Sequence, residues 1–115
     1  MASRPLTRLR HIKQSIGDVR TLLANKTESD LLEDRFLKLL LERLIEIVSE
    51  ASRDIPVDWK QSAGAEVPWQ KIASIGNILR HAYDNVEIGA LWSVYESDLD
   101  PLERAIDAMI AAHDK

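Results

Sequence analysis

In "LTRLRHIKQSIGDVRTLLANK", Leu6, Leu9, Ile12, Ile16, Val19 and Leu23 return every three or four positions. That is the spacing of one face of an α-helix. The same period runs through most of the chain, and no strand-type alternation of useful length interrupts it. A 115-residue chain patterned this way is confined to all-α folds, because each helix must hide its stripe against other helices.

The other segments extend the pattern. "SDLLEDRFLKLLLERLIEIVSEASRD" predicts a second helix capped by Ser29 or Asp30. Leu32, Phe36, Leu40, Ile47 and Ala51 make one face, and Leu37, Leu41, Leu44 and Val48 widen it. A helix this apolar needs cover on more than one side, and in so short a chain a second copy can supply it. A homodimer is expected on that ground. "IPVDWKQSAGAEVP" carries Pro56, Gly64 and Pro68 and is expected to be a long loop over about 55–67, inside a single domain spanning 1–115.

Pro68 suits the first turn of a helix through "WQKIASIGNILRHAYDN". Its stripe is Trp69, Ile72, Ile75, Leu79 and Ala82, with Asn77, Arg80, His81 and Asp84 around the other side. A short helix is expected in "EIGALWSVYESDL", packing through Ile88, Leu91, Trp92 and Tyr95. The last helix, "DPLERAIDAMIAAHDK", is expected to start with Asp100 as N-cap, Pro101 at the first position and Glu103 in a capping box. The expected fold is a four-helix up-and-down bundle with a short additional helix toward the C-terminus.

Composition narrows the chemistry. There is no Cys, which excludes disulfides, thiolate metal sites and cysteine nucleophiles. There is no GxxxxGK loop, no GxGxxG after a strand, no HExxH and no GxSxG. No metal and no cofactor are expected. The first residues carry no apolar leader and no run of about 18 apolar residues occurs, so a cytoplasmic protein without membrane contact is the simplest expectation. The formal net charge is −4, yet residues 1–26 carry six basic residues against Asp18 alone. Arg8, Lys13 and Arg20 fall off the apolar stripe and are candidates for guiding a phosphate backbone; the plainer alternative is a solvated helix face.

The one concentrated group of reactive side chains is Asn77, Arg80, His81 and Tyr83. It suits phosphodiester chemistry. Imidazole exchanges protons near neutral pH. Guanidinium donates two hydrogen bonds to phosphate oxygens as charge builds there, and an asparagine amide can donate to the same oxygens. The plain alternative is an exposed Arg, an ordinary His and a Tyr packing its ring.

The order of three stretches resembles a known family. "ERLIEIVSEAS", "VPWQKIASIGNILRHAY" and "LWSVYESDLDPL" are similar to successive regions of the HepT-like branch of the HEPN superfamily, small all-helical proteins of prokaryotes. The resemblance spans about Ser29 to Ile110. It implies a metal-independent endoribonuclease toxin, usually dimeric, with active sites where two motif helices meet. It also implies a partner, a minimal nucleotidyltransferase antitoxin that attaches AMP to the motif tyrosine, here Tyr83. By the family's pattern His81 is general acid or base and Asn77 orients phosphate. The motif arginine departs from the pattern: Gly76 stands in its place, and Arg80 stands one turn on, immediately before His81. Arg80 is the candidate substitute, with its guanidinium laid back over the space above Gly76. The alternative function is a non-catalytic nucleotide- or partner-binding helical subunit of a small nucleotidyltransferase.

Overall fold

The computed structural model describes residues 4–81 and 87–114, with His81 described by its backbone alone. Among these residues the chain is all α-helical. Four longer helices make the body: α1 (Arg4–Leu23), α3 (Arg35–Ser52), α5 (Trp69–His81) and α7 (Leu99–His113). Three shorter ones connect them: α2 (Glu28–Glu33), α4 (Val57–Ala63) and α6 (Ile88–Ser93). No helix among the described residues is long and apolar enough to cross a membrane.

The stripe of α1 is buried along its whole length, from Leu6 to Leu23. α1 lies between α3 and α7, while α5 packs on the other flank of α3. Cross-helix pairs show that neighbours run antiparallel. Arg8 meets Asp54 at the far end of α3, and Lys13 and Arg20 meet Asp107 and Asp100 in reverse order along α7. The core comprises the α1 stripe, Leu37, Leu41, Ile45 and Val48 of α3, Ile72 and Ile75 of α5, and Leu99, Leu102, Ile106 and Met109 of α7.

Several expectations need correction. The second helix is two helices. Thr27, rather than Ser29 or Asp30, caps α2, and Asp30 closes a capping box with it. Asp34 then ends α2 in an extended conformation and caps α3, its carboxylate accepting from the Phe36 and Leu37 N–H groups at 3.1 Å each. The two apolar faces of α3 also separate over its first half, although Ala51 of the first face is buried near its end. Leu37, Leu41 and Val48 enter the core with Ile45, whereas Leu32, Phe36 and Leu40 are 69%, 74% and 55% exposed. A helix apolar on two sides does not reveal from its period which side meets its own chain. The expected loop at 55–67 contains α4, which begins after Pro56 and ends at Gly64. Its anchors are Ile55 and Val67, both buried, and half-buried Trp59, whose ring stacks on the His113 imidazole at 3.6 Å.

Asp100 is not an N-cap. α6 runs through a π-helical turn, Val94–Asp98, directly into α7, so Asp100 and Pro101 lie inside a continuing helix. Pro101 has no N–H for the carbonyl four residues back, which breaks the α pattern locally. The wider turn satisfies the backbone differently, with the Leu99 N–H donating to Val94 O. Asp98 in this turn is buried and is held by Lys71 of α5 at 2.7 Å.

Candidate functional site

α5 presents the candidate residues. Its first turn is fixed by Trp69, whose indole N–H donates to Gly64 O at 2.8 Å. Gly64 is needed for that fit, since a Cβ there would lie 2.7 Å from the indole ring. Ile72 and Ile75 then face the core, and Asn77, Ile78 and Arg80 face solvent. Leu79 is half-buried, and Ala82 and Asp84 lie outside the described residues.

Between these faces, α5 crosses α3 closely at Gly76. A Cβ on Gly76 would lie 2.1 Å from Ser49 Oγ and 2.5 Å from Ser49 Cβ. Ser49 is itself fully buried; its hydroxyl accepts from the Gly76 N–H and donates to Ala73 O, both at 3.1 Å. Arg53, the C-cap of α3, adds a second bond to Ala73 O at 3.0 Å. The glycine is therefore a point of helix contact. The space above it is filled by α3, which corrects the expectation that the Arg80 guanidinium lies there. An arginine at position 76 would have no room in this packing.

The guanidinium of Arg80 turns instead toward Asn77 and Glu50. One amino group donates to Asn77 Oδ1 at 3.2 Å, and the other forms an ion pair with Glu50 Oε1. Asn77 and Arg80 are thus brought together, one turn apart on one exposed face. His81 follows Arg80 in the same helix, though its side chain is outside the described structure, as is Tyr83. The arrangement offers a cation and, with Asn77 Oδ1 engaged by Arg80, a carboxamide NH₂ free to donate to an anion.

The basic residues of α1 are placed elsewhere, and carboxylates meet each of them. Arg8 bonds Asp54 at 2.7 Å, with Arg4 on the same carboxylate. Lys13 meets Asp107, and Arg20 meets Asp100 and Glu103. Partial burial pushes the Asp54 carboxyl up, but Arg4 and Arg8 outweigh it and leave it below its ordinary value. The hydrogen bond to Asp107 holds the Lys13 ammonium above its ordinary value, and the bond to Asp100 does the same for Arg20. Trp59, Trp69 and Trp92 are half-buried anchors; Trp92 donates to Glu96 and meets the Tyr95 ring edge-on.

A family model described as Ribonuclease HepT-like matches residues 12–109. The chain belongs to the HepT-like ribonuclease family. Relatives of this HepT-like chain include a protein of Methanocaldococcus jannaschii named as a gamma-glutamylcyclotransferase and proposed RNase, 31% identical over 107 residues. That match covers 93% of this chain and 48% of the relative. The probable ribonuclease HepT of Thermococcus cleftensis is 35% identical over 74 residues, 64% of this chain and 66% of that one. A second Methanocaldococcus jannaschii protein, named as a proposed RNase, is 25% identical over 84% of this chain and 87% of its own length. The chain thus spans about half the length of the first relative and just under two thirds of the second. No solved structure matches it.

Two residues of the site were not foreseen, Ser49 and Glu50. Their signal was present: adjacent polar residues interrupt an otherwise apolar turn of "LIEIVSEAS". What the sequence does not show is that this turn faces Gly76 and Arg80.

Proposed function

We propose that this HepT-like chain is a metal-independent endoribonuclease toxin whose site is built on Asn77, Arg80 and His81. The observation that carries the reading is the exposed Arg80–Asn77 pair, hydrogen-bonded at 3.2 Å and immediately preceding His81. In this reading His81 removes the proton of a ribose 2′-OH, and the 2′-oxygen attacks the adjacent phosphorus. The 5′-oxygen leaves with a proton, giving a 2′,3′-cyclic phosphate. Arg80 and the Asn77 amide donate to the non-bridging oxygens as they gain charge. A second copy completes the site. The exposed stripe of Leu32, Phe36, Leu39 and Leu40 supports this, since it needs cover and runs along α2 and the start of α3, the helix that also carries Glu50. A minimal nucleotidyltransferase is the proposed antitoxin, with Tyr83 as the AMP acceptor. Arg8, Lys13 and Arg20 would meet RNA only by exchanging the carboxylates they already hold.

Two observations favour a second reading, a non-catalytic subunit that binds nucleotide or a nucleotidyltransferase. Packing against Ser49 leaves no room for the family's arginine at position 76, and the charge of Arg80 is balanced by Glu50. The test is cleavage of a labelled oligoribonucleotide in EDTA, with analysis of the ends. The wild-type chain should cut and leave cyclic phosphate, and Arg80→Ala and His81→Ala should each lose about a hundredfold or more. A wild-type chain that binds a nucleotidyltransferase but never cuts RNA would replace the first reading with the second. Mass spectrometry of the Tyr83 peptide after co-expression with that enzyme tests the modification; an unmodified peptide removes it.

A further inference from the structure

Glu50 lies on α3, thirty positions before Arg80 and outside the Asn77–Tyr83 group. Its Oε1 is shielded from solvent, and the charged group set against it is the Arg80 guanidinium. The two side chains as a whole are 38% and 40% exposed, so the contact is a partly solvated one that orients the groups more than it stabilises the fold. The neighbouring residue, Ser49, is pinned to α5 by its bonds with Gly76 and Ala73. The backbone carrying Glu50 is therefore fixed against the helix carrying Arg80. On the other side, Asn77 accepts from the second amino group of the same guanidinium. One arm is hydrogen-bonded to Asn77 and the other lies against the Glu50 carboxylate as a charge contact, and together they orient the group. Of its five N–H donors, one is hydrogen-bonded among the described residues, which leaves donors for an anion.

We infer that Glu50 is a positioning residue for the phosphate site: through its ion pair across α3 and α5 it fixes the direction of the Arg80 guanidinium without touching RNA. This rests on the ribonuclease reading above for its catalytic consequence, but not for its binding consequence. The carboxylate also offsets the charge of Arg80, so it lowers undirected attraction to nucleic acid while aiming the donors. Its removal therefore separates two quantities that ordinary damage to a site moves together. Binding tightens, and the chemical step slows.

The experiment uses the full chain with Glu50→Ala and Glu50→Gln, an oligoribonucleotide, and its all-2′-deoxy version, which has no 2′-OH to attack. For the deoxy strand, Glu50→Ala should bind about three- to tenfold more tightly at low salt, and the slope of log affinity against log salt should steepen by about one. On the cleavable strand its kcat should fall about tenfold or more while KM does not rise. Glu50→Gln keeps an acceptor oxygen and should recover part of kcat while retaining the steeper slope. Unchanged salt slope and unchanged kcat in Glu50→Ala would overturn the inference. So would a lower kcat with no change in binding and no recovery by Glu50→Gln, the pattern of a role in helix packing alone. If the wild-type chain cuts no RNA, the ribonuclease reading falls by itself. The deoxy-strand slopes still decide whether Glu50 governs Arg80, a steeper slope supporting it and an unchanged one refuting it.

Discussion

Replacing Gly76 with Ala should destabilise the protein, although the same change in a helix usually does the opposite. An exposed helical Gly→Ala gains about 1 kcal/mol from propensity alone. At Gly76 the new methyl would sit 2.1 Å from Ser49 Oγ and 2.5 Å from its Cβ. Forcing a methyl into a filled contact costs about 1–3 kcal/mol. Pushing Ser49 aside also forfeits its bonds to the Gly76 N–H and Ala73 O, roughly another 1 kcal/mol. The net loss is about 1–3 kcal/mol, a fall of roughly 4–12 °C in Tm for a domain of this size. Gly17 is the internal control. It lies in the exposed part of α1, and a methyl there would meet nothing within 4 Å, so Gly17→Ala should raise Tm by a few degrees, about 1 kcal/mol. In Ser49→Gly/Gly76→Ala the nearest atom left to the new methyl is the Cα of residue 49, at 3.8 Å. The pair should therefore lose less than the two single changes added, by at least about 1 kcal/mol. Thermal and urea unfolding followed by circular dichroism, at several protein concentrations to separate any effect of association, measures all four. If Gly76→Ala stabilises as Gly17→Ala does, or the double change is merely additive, the close crossing of α3 and α5 is not as described.

Three further outcomes follow from the fold. Phe36→Glu, at a position 74% exposed, should leave helix content and unfolding temperature of the monomer nearly unchanged but abolish self-association in light scattering, if the α3 stripe is covered by a second copy; a variant that associates like wild type counts against that stripe. Asp34→Ala removes the acceptor for two N–H groups at the start of α3 and should cost about 1 kcal/mol in urea unfolding. Asp54 has a native pKa below its ordinary 3.8. Its contribution is therefore present above that ordinary value and lost as pH falls through the lower native one. Asp54→Asn should flatten the acid limb of the stability–pH curve, and an unaltered limb would show that Arg4 and Arg8 do not stabilise the carboxylate.

What could be read from the sequence depended on how many faces each helix uses. α1 has one apolar stripe, and all six residues expected in it are buried. In α3 the apolar residues cover too wide an arc, so period alone could not tell core-facing Leu37 from solvent-facing Phe36. Start signals misled where a residue found better work elsewhere. Asp100 looks like an N-cap before Pro101, yet its carboxylate serves Arg20 and the helix continues behind it through the π turn. At the candidate site, the pairing of Asn77 with Arg80 follows from helical spacing, i to i+3. The partner Glu50 and the contact at Gly76 depend on how α3 and α5 dock, and spacing within one helix cannot report that. The surplus of basic residues before position 27 suggests a phosphate-binding face; folded, it is largely the counterpart of Asp54, just past α3, and of acids on α7.

The central place of α1 has a consequence for how the chain reaches its folded state. Leu9, Ile12 and Ile16 have no exposed surface, and their helix is flanked by α3 and by α7, which follows α1 by about 75 residues. During synthesis α3 can cover one flank of α1 early. The other flank must wait until α7 has left the ribosome, and its ion pairs span separations of 80 residues and more. Closing so long a loop is entropically slow compared with forming α3 against α5. Until it closes, a nascent chain carries a bare aliphatic strip, and a chaperone that shields α1 from its neighbours should raise the yield of soluble protein more than one that acts on the finished chain.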